Sequence, residues 1–207
     1  MIVSVKPSQV EDVVEEISGF VQGKIIVSAA ALVPIKWWES RLPGEDVKLF
    51  RAMPNINVMV GESFTALAAH EHVDAYSRSV VEELFKLLGS TAWVSEDVLD
   101  ALTVISGCGP AIIVEITDAL MLASLAIGIP QGVAEEAVLK LIEGTAKSLQ
   151  ETELTKLRNM VITPRGLTIR LLRRLYKENF KSTLIESIES TYSVLAESKI
   201  RMLKDMP

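Results

Sequence analysis

A chain of 207 residues, 49% of them apolar, is long enough for one large domain or two small ones with a substantial core. A net charge of −6 without any sustained Lys/Arg run excludes nucleic acid as the main partner. The lone cysteine, Cys108, permits no intrachain disulfide and points to the cytoplasm, and the first apolar run meets Lys6 and Pro7 too soon for a secretory leader.

Met1 to Val5 reads as a short strand that Lys6-Pro7 ends. Ser8-Gln9-Val10-Glu11 matches a capping box, in which the hydroxyl takes a free helix N–H and Glu11 reaches back. A helix through Ile17 should follow, closed by Gly19. Lys24 to Ser28 reads as a buried strand, Pro34 to Arg41 as a short helix and Val47 to Ala52 as another strand. Asp74 to Leu88 has the apolar spacing of an amphipathic helix, and Thr91 to Val94 is a short strand. Strands alternating with helices imply βαβ units and a parallel sheet.

After Ser95 the strand signals stop. Helices are expected at about 96–105, 109–127, 131–149, 152–161, 166–177 and 180–203. The expected organisation is an α/β domain over 1–95 and an all-helical domain over 96–207. Ala111 to Ile129 is long and apolar enough to suggest a membrane span, but Glu115 and Asp118 lie in its middle. Each acid at a span centre costs about 2.5–3.5 kcal/mol. The run reads instead as a soluble helix buried on most sides, with both acids on one stripe. So apolar a helix calls for a partner subunit to cover it.

Four short stretches invite a chemical reading. Ser106-Gly107-Cys108-Gly109-Pro110-Ala111 is a tight connection with Pro near a helix start, or a place where a ligand approaches the backbone closely. Thr163-Pro164-Arg165-Gly166-Leu167-Thr168 interrupts the helices. Thr163 can cap a helix with Pro164 at its first position, leaving Gly166 in the first turn at a cost of about 1 kcal/mol. Equally, free N–H groups beside a glycine make a carboxylate or phosphate site, with the Thr168 hydroxyl close by. His70-Glu71-His72 suggests a metal, but two histidines without a third nearby ligand fall short of the usual three or four, so no metal is expected. Trp37-Trp38 reads as packing.

VSVKPSQVEDVV, KIIVSAAALVPI, RAMPN, DALTVISGCGPA and LRNMVITPRGLTI, in this order and spacing, resemble the pyrroline-5-carboxylate reductase family over essentially the whole chain. The resemblance implies a partial Rossmann-like domain followed by an all-helical dimerisation and substrate-binding domain. It implies hydride transfer from NADPH or NADH to the C=N carbon of a cyclic imino acid, giving L-proline, by a homodimer or higher homo-oligomer. Carried over by position, Val5, Lys6, Pro7, Ala31 and Asn55 match cofactor-binding positions. Gly166, Leu167 and Thr168 match the loop that holds the substrate carboxylate, and Thr168 the hydroxyl near the imine nitrogen.

The resemblance also marks departures. The first strand here corresponds to the family's fourth, so the chain reads as N-terminally truncated, without the G-x-G-x-x-G turn that seats a pyrophosphate. Leu32 and Arg165 stand where the family has glycine, and Asn159 where it has an acid. A non-catalytic, dimer-forming remnant of the family is the alternative function.

Overall fold

The computed structural model describes residues 1–43 and 46–204; the last three positions of the expected helical region therefore lie outside the described residues. The chain divides into two compact units, one joining Met1–Pro110 to the segment from Ile188 onward, the other spanning Ala111–Ser187.

The first unit is built on a five-stranded sheet in the order β1-β2-β3-β4-β5. Its strands are β1 (Ile2–Val3), β2 (Ile25–Ser28), β3 (Lys48–Met53), β4 (Ser63–Ala69) and β5 (Gly89–Trp93). Helices α1 (Val10–Ile17), α2 (Ile35–Glu39), α3 (Ala75–Lys86) and α4 (Glu96–Leu102) connect or cover them. β2 reads as a nearly continuous apolar run because both its faces are covered. Ile26 and Leu49 pack with Val10, Val14 and Trp38 on one face. Val27 and Phe50 pack with Val81 and Phe85 of α3 on the other. Trp37 and Trp38, 3% and 1% exposed, meet edge to face inside the first cluster, which makes them core residues.

The sheet is mixed rather than parallel. β1, β2 and β3 are parallel, β4 runs antiparallel to β3, and β5 is parallel to β4. A parallel neighbour needs a crossover of a dozen or more residues, whereas residues 54–62 reverse the chain at once. Asn55 caps a 3₁₀ turn over Ile56–Val60 by accepting from the Asn57 N–H, and Gly61 ends it at φ 73°. Nor does a capping box form at Ser8. A 3₁₀ turn at Pro7–Gln9 precedes α1, and the Lys6 N–H donates to Gln9 Oε1 at 3.3 Å. Pro7 fixes its own φ and so sets the turn two residues earlier than the hydroxyl would.

Asp74 caps α3, accepting from the Ser77 N–H and hydroxyl, each at 2.8 Å, and pairing with Lys48 at 3.0 Å. The Ser77 amide first, then the Ser77 hydroxyl and Lys48, holds its carboxyl well below the usual carboxylate range. A depressed carboxyl stabilises the fold above its unfolded value and loses that contribution as the pH falls toward the folded one. The stability gap between wild type and Asp74→Ala is therefore expected to be constant above about pH 5 and to shrink below about pH 4. Urea titrations across that range check it; a gap that does not change with pH refutes it.

The second unit contains α6 (Gln131–Glu151), α7 (Leu154–Met160), α8 (Leu167–Lys177), most of α5 (Gly109–Ala126) and the first part of α9 (Phe180–Lys204). Its buried residues, among those described, are Ala134 and Val138. α5 is not buried on most sides as its composition suggests: Val114 is 64% and Leu122 59% exposed. The helices of one copy leave its apolar sides uncovered.

Candidate active site

The first unit gathers five of the expected residues on one sheet edge. Val3, Ser28 and Arg51 stand in register across β1, β2 and β3. Three residues beyond Val3 is Lys6, three beyond Ser28 is Ala31, and four beyond Arg51 is Asn55. Val5 and Pro7 flank Lys6. All follow the carboxyl ends of parallel strands, where ligands of open α/β sheets bind. Ser28 Oγ accepts from the Ala30 N–H at 3.3 Å and bends the chain there. Leu32 then adopts φ 70°, a left-handed conformation that costs a β-carbon-bearing residue about 1–2 kcal/mol.

Asn55 is held on every side. Its N–H donates to Ser63 Oγ at 3.1 Å, and its Nδ2 donates to Ser106 Oγ at 3.0 Å. Ser106 Oγ in turn donates to the Phe64 carbonyl at 3.4 Å. Ser106 belongs to a π-helical segment, Thr103–Gly107, that continues α4. Such segments concentrate at functional sites. The serine of the glycine-rich stretch thus contacts Asn55, one of the expected residues.

In the second unit, Gly166, Leu167 and Thr168 open α8. Thr163 does not cap this helix. The Gly166 N–H donates to the Thr163 carbonyl at 3.0 Å across a tight turn whose third residue, Arg165, has φ 59°. Pro164 supplies the fixed φ that such a turn prefers second, while glycine suits its third position. Gly166 is the N-cap rather than a first-turn residue. A β-carbon there would meet Thr163 Oγ1 at a closer approach than atoms tolerate. α8 begins without a side-chain cap and without an acid in its first turn. Its first N–H groups are left to attract an anion.

A buried ionic cluster stands behind the sheet edge. Arg51, 0% exposed, bonds Glu96 Oε1 and Asp100 Oδ1, both at 2.8 Å. Asp100 Oδ2 lies 2.6 Å and Asp97 Oδ1 3.1 Å from Lys199 Nζ of α9. Burial alone would lower the Lys199 pKa, but the Asp100 and Asp97 carboxylates outweigh it and raise it. The contribution of Lys199 to stability is thus present below pH 10.5 and lost as the pH rises through its raised value. An arginine inside an apolar strand run is the sequence signal for such a cluster, since arginine is almost never buried unpaired.

His70 Nε2 pairs with Glu39 Oε1 at 2.5 Å. Among the described residues no three His, Cys, Asp or Glu side chains converge to hold a metal. A cleft of about 370 Å³ lined by Glu39, Lys48, His70 and His72 lies where β3 begins and β4 ends. It is at the far end of the sheet from the expected residues and contains none of them.

A Rossmann-like sheet with its loops at the carboxyl edge, joined to a largely unburied helical region, defines an oxidoreductase fold with an appended assembly domain. Residues 96–198 match the family model for pyrroline-5-carboxylate reductase dimerisation. The chain is 35% identical over 197 residues to pyrroline-5-carboxylate reductase of Aquifex aeolicus, covering 92% of this chain and 72% of the relative. It is 30% identical over 194 residues to that of Synechocystis sp., covering 93% and 72%. The chain therefore belongs to the pyrroline-5-carboxylate reductase family.

The solved pyrroline-5-carboxylate reductase of Coxiella burnetii superposes with a TM-score of 0.86 at 30% identity, covering 95% of this chain and 74% of that one. Pyrroline carboxylate reductase of Plasmodium falciparum, solved with NADP bound, shares the fold with a TM-score of 0.89 at 24% identity, covering 96% and 80%. By length and composition Glu96–Ala126 also passes for a membrane span. The same residues fall within the match to a dimerisation domain.

Proposed function

We propose that this chain reduces 1-pyrroline-5-carboxylate to L-proline with NADPH or NADH, in the cytoplasm. The observation that carries the reading, beside family membership, is the start of α8. There an uncapped helix follows a turn closed on a glycine, where a β-carbon would have to displace the Thr163 hydroxyl. In the proposed division, residues 1–95 serve the cofactor and residues 96–207 the substrate and the assembly.

The residues present fit the nicotinamide and ribose side of such a cofactor: backbone turns at Lys6-Pro7 and Ala31, and the immobilised Asn55 amide, lie along one strand edge. No G-x-G-x-x-G turn for the pyrophosphate occurs in the sequence. Val5, Lys6, Pro7, Ala31 and Asn55 would hold the nicotinamide half, and the bound cofactor supplies the hydride that reduces the C=N carbon. Gly166 leaves room for the substrate carboxylate at the N–H groups of Leu167 and Thr168, where the helix dipole favours a negative charge. Thr168 donates a proton at the imine nitrogen, which becomes the secondary amine of proline. Water is then the ultimate proton source.

Purified chain mixed with 1-pyrroline-5-carboxylate and NADPH is expected to consume NADPH and form proline in equal amounts. No turnover, with self-association retained, would instead support the non-catalytic, dimer-forming reading.

Assembly follows from the same surface. A unit whose described buried residues are Ala134 and Val138 has no core of its own size, so a second copy covers α5 and its neighbours. Sedimentation at micromolar concentration is expected to show a homodimer or larger species. A stable, well-folded monomer there would contradict it.

A further inference from the structure

We propose that Glu96 is a positioning residue that holds the loop carrying Ala31, a role that rests on the cofactor reading above. α2 has no side-chain cap of its own; its N-cap is Pro34. The Ile35 N–H at its start donates instead to Glu96 Oε1 at 3.0 Å, from a residue 61 positions further along the chain. The same oxygen accepts from Arg51 Nη1 at 2.8 Å, and Arg51 is fixed in turn by Asp100. Between Ala31 and Ile35 lies Leu32 in its left-handed conformation. Strain of that kind persists only where the surroundings over-determine the backbone. Ser28 Oγ holds the loop on its upstream side, and Glu96 holds it downstream.

The helical run that Glu96 opens continues to Gly107, and Ser106 near its end accepts from Asn55 Nδ2. One rod, α4 with its π segment, therefore grips both cofactor loops, the Ala31 loop at its start and Asn55 at its end. A residue that only stabilised the fold would lower the amount of active protein. A positioning residue changes how well the cofactor is held by the protein that is folded. Loop contacts of this kind act on ground and transition states alike, so their loss falls on KM rather than kcat.

The test compares wild type, Glu96→Ala, Glu96→Gln and Asp97→Ala by amide hydrogen exchange without ligand and by initial rates at varied NADPH. Gln keeps an acceptor for the Ile35 N–H. Asp97→Ala removes a neighbouring exposed acid that pairs with Lys199 and leaves the Ile35 contact intact. Glu96→Ala is expected to speed exchange over residues 30–37 and raise the NADPH KM, each about tenfold, with kcat within about threefold. Glu96→Gln and Asp97→Ala should stay close to wild type in both. Unchanged exchange over 30–37 in Glu96→Ala, or faster exchange with an unchanged NADPH KM, overturns the proposal. A wild-type chain without NADPH-dependent imine reduction overturns the cofactor reading instead, and the exchange comparison alone then decides whether Glu96 holds the loop.

Discussion

Thr168→Val is expected to lower kcat for imine reduction by about 100-fold, the lower end for a positioned proton donor, because water can partly substitute. Thr168 is the second residue of α8 and half-buried within its unit. Valine keeps the branched shape and removes only the hydroxyl. The N–H groups of Leu167 and Thr168 belong to the backbone and remain, so the substrate KM should move little. Steady-state kinetics at saturating NADPH measure both constants. An unchanged kcat would remove Thr168 from the mechanism and leave the helix start as a binding feature alone.

Arg51→Met is the substitution with the largest expected effect on stability. It leaves the Asp100 carboxylate, 4% exposed, with Lys199 alone, and strips Glu96 of its charged partner. Breaking a buried pair from one side costs about 3–5 kcal/mol. For a chain of this size each kcal/mol moves the melting temperature by about 2–4 °C, so a fall of about 10 °C is expected. Adding Asp100→Leu should recover part of it, because no carboxylate is then stranded and Lys199 retains Asp97. Thermal melts at matched protein concentration test the pair. A loss under about 1 kcal/mol for Arg51→Met would show that the cluster is no better than a surface bridge.

Much of the architecture was legible because hydrophobic period is local. β2, β3 and α3 announce themselves within a few residues, as do the helices after Ser95. β4 was not legible. Its sequence SFTALAA has three alanines, which are weak strand formers, and burial on both faces erases the alternation that marks a half-exposed strand. Missing it made the sheet read as all-parallel. The turn before α8 was misread because Thr, Pro and Gly serve a helix cap and a tight turn equally well. Only the positive φ of Arg165 separates the two. That φ, like the φ of Leu32, also explains why the resemblance found glycine expected at both positions. Family motifs brought out Lys6, Ala31 and Asn55. The contacts of Glu96 with Ile35 and of Ser106 with Asn55 span 61 and 51 positions, a separation that no local pattern reports.

The division of α9 between the two units has a consequence for how the protein is made. Asp97 meets Lys199 across 102 positions, and everything in the second unit is encoded between them. A ribosome adding about 5–20 residues per second exposes the sheet and its Arg51 cluster several seconds before the lysine that completes it. During that interval Asp100 and Arg51 can meet, but the surface that later receives Met202 stays open to solvent. Closing a loop of that length is entropically dearer than closing a turn, though only logarithmically so. The nascent sheet therefore waits, partly finished, for a segment that arrives only after an entire assembly domain has been synthesised.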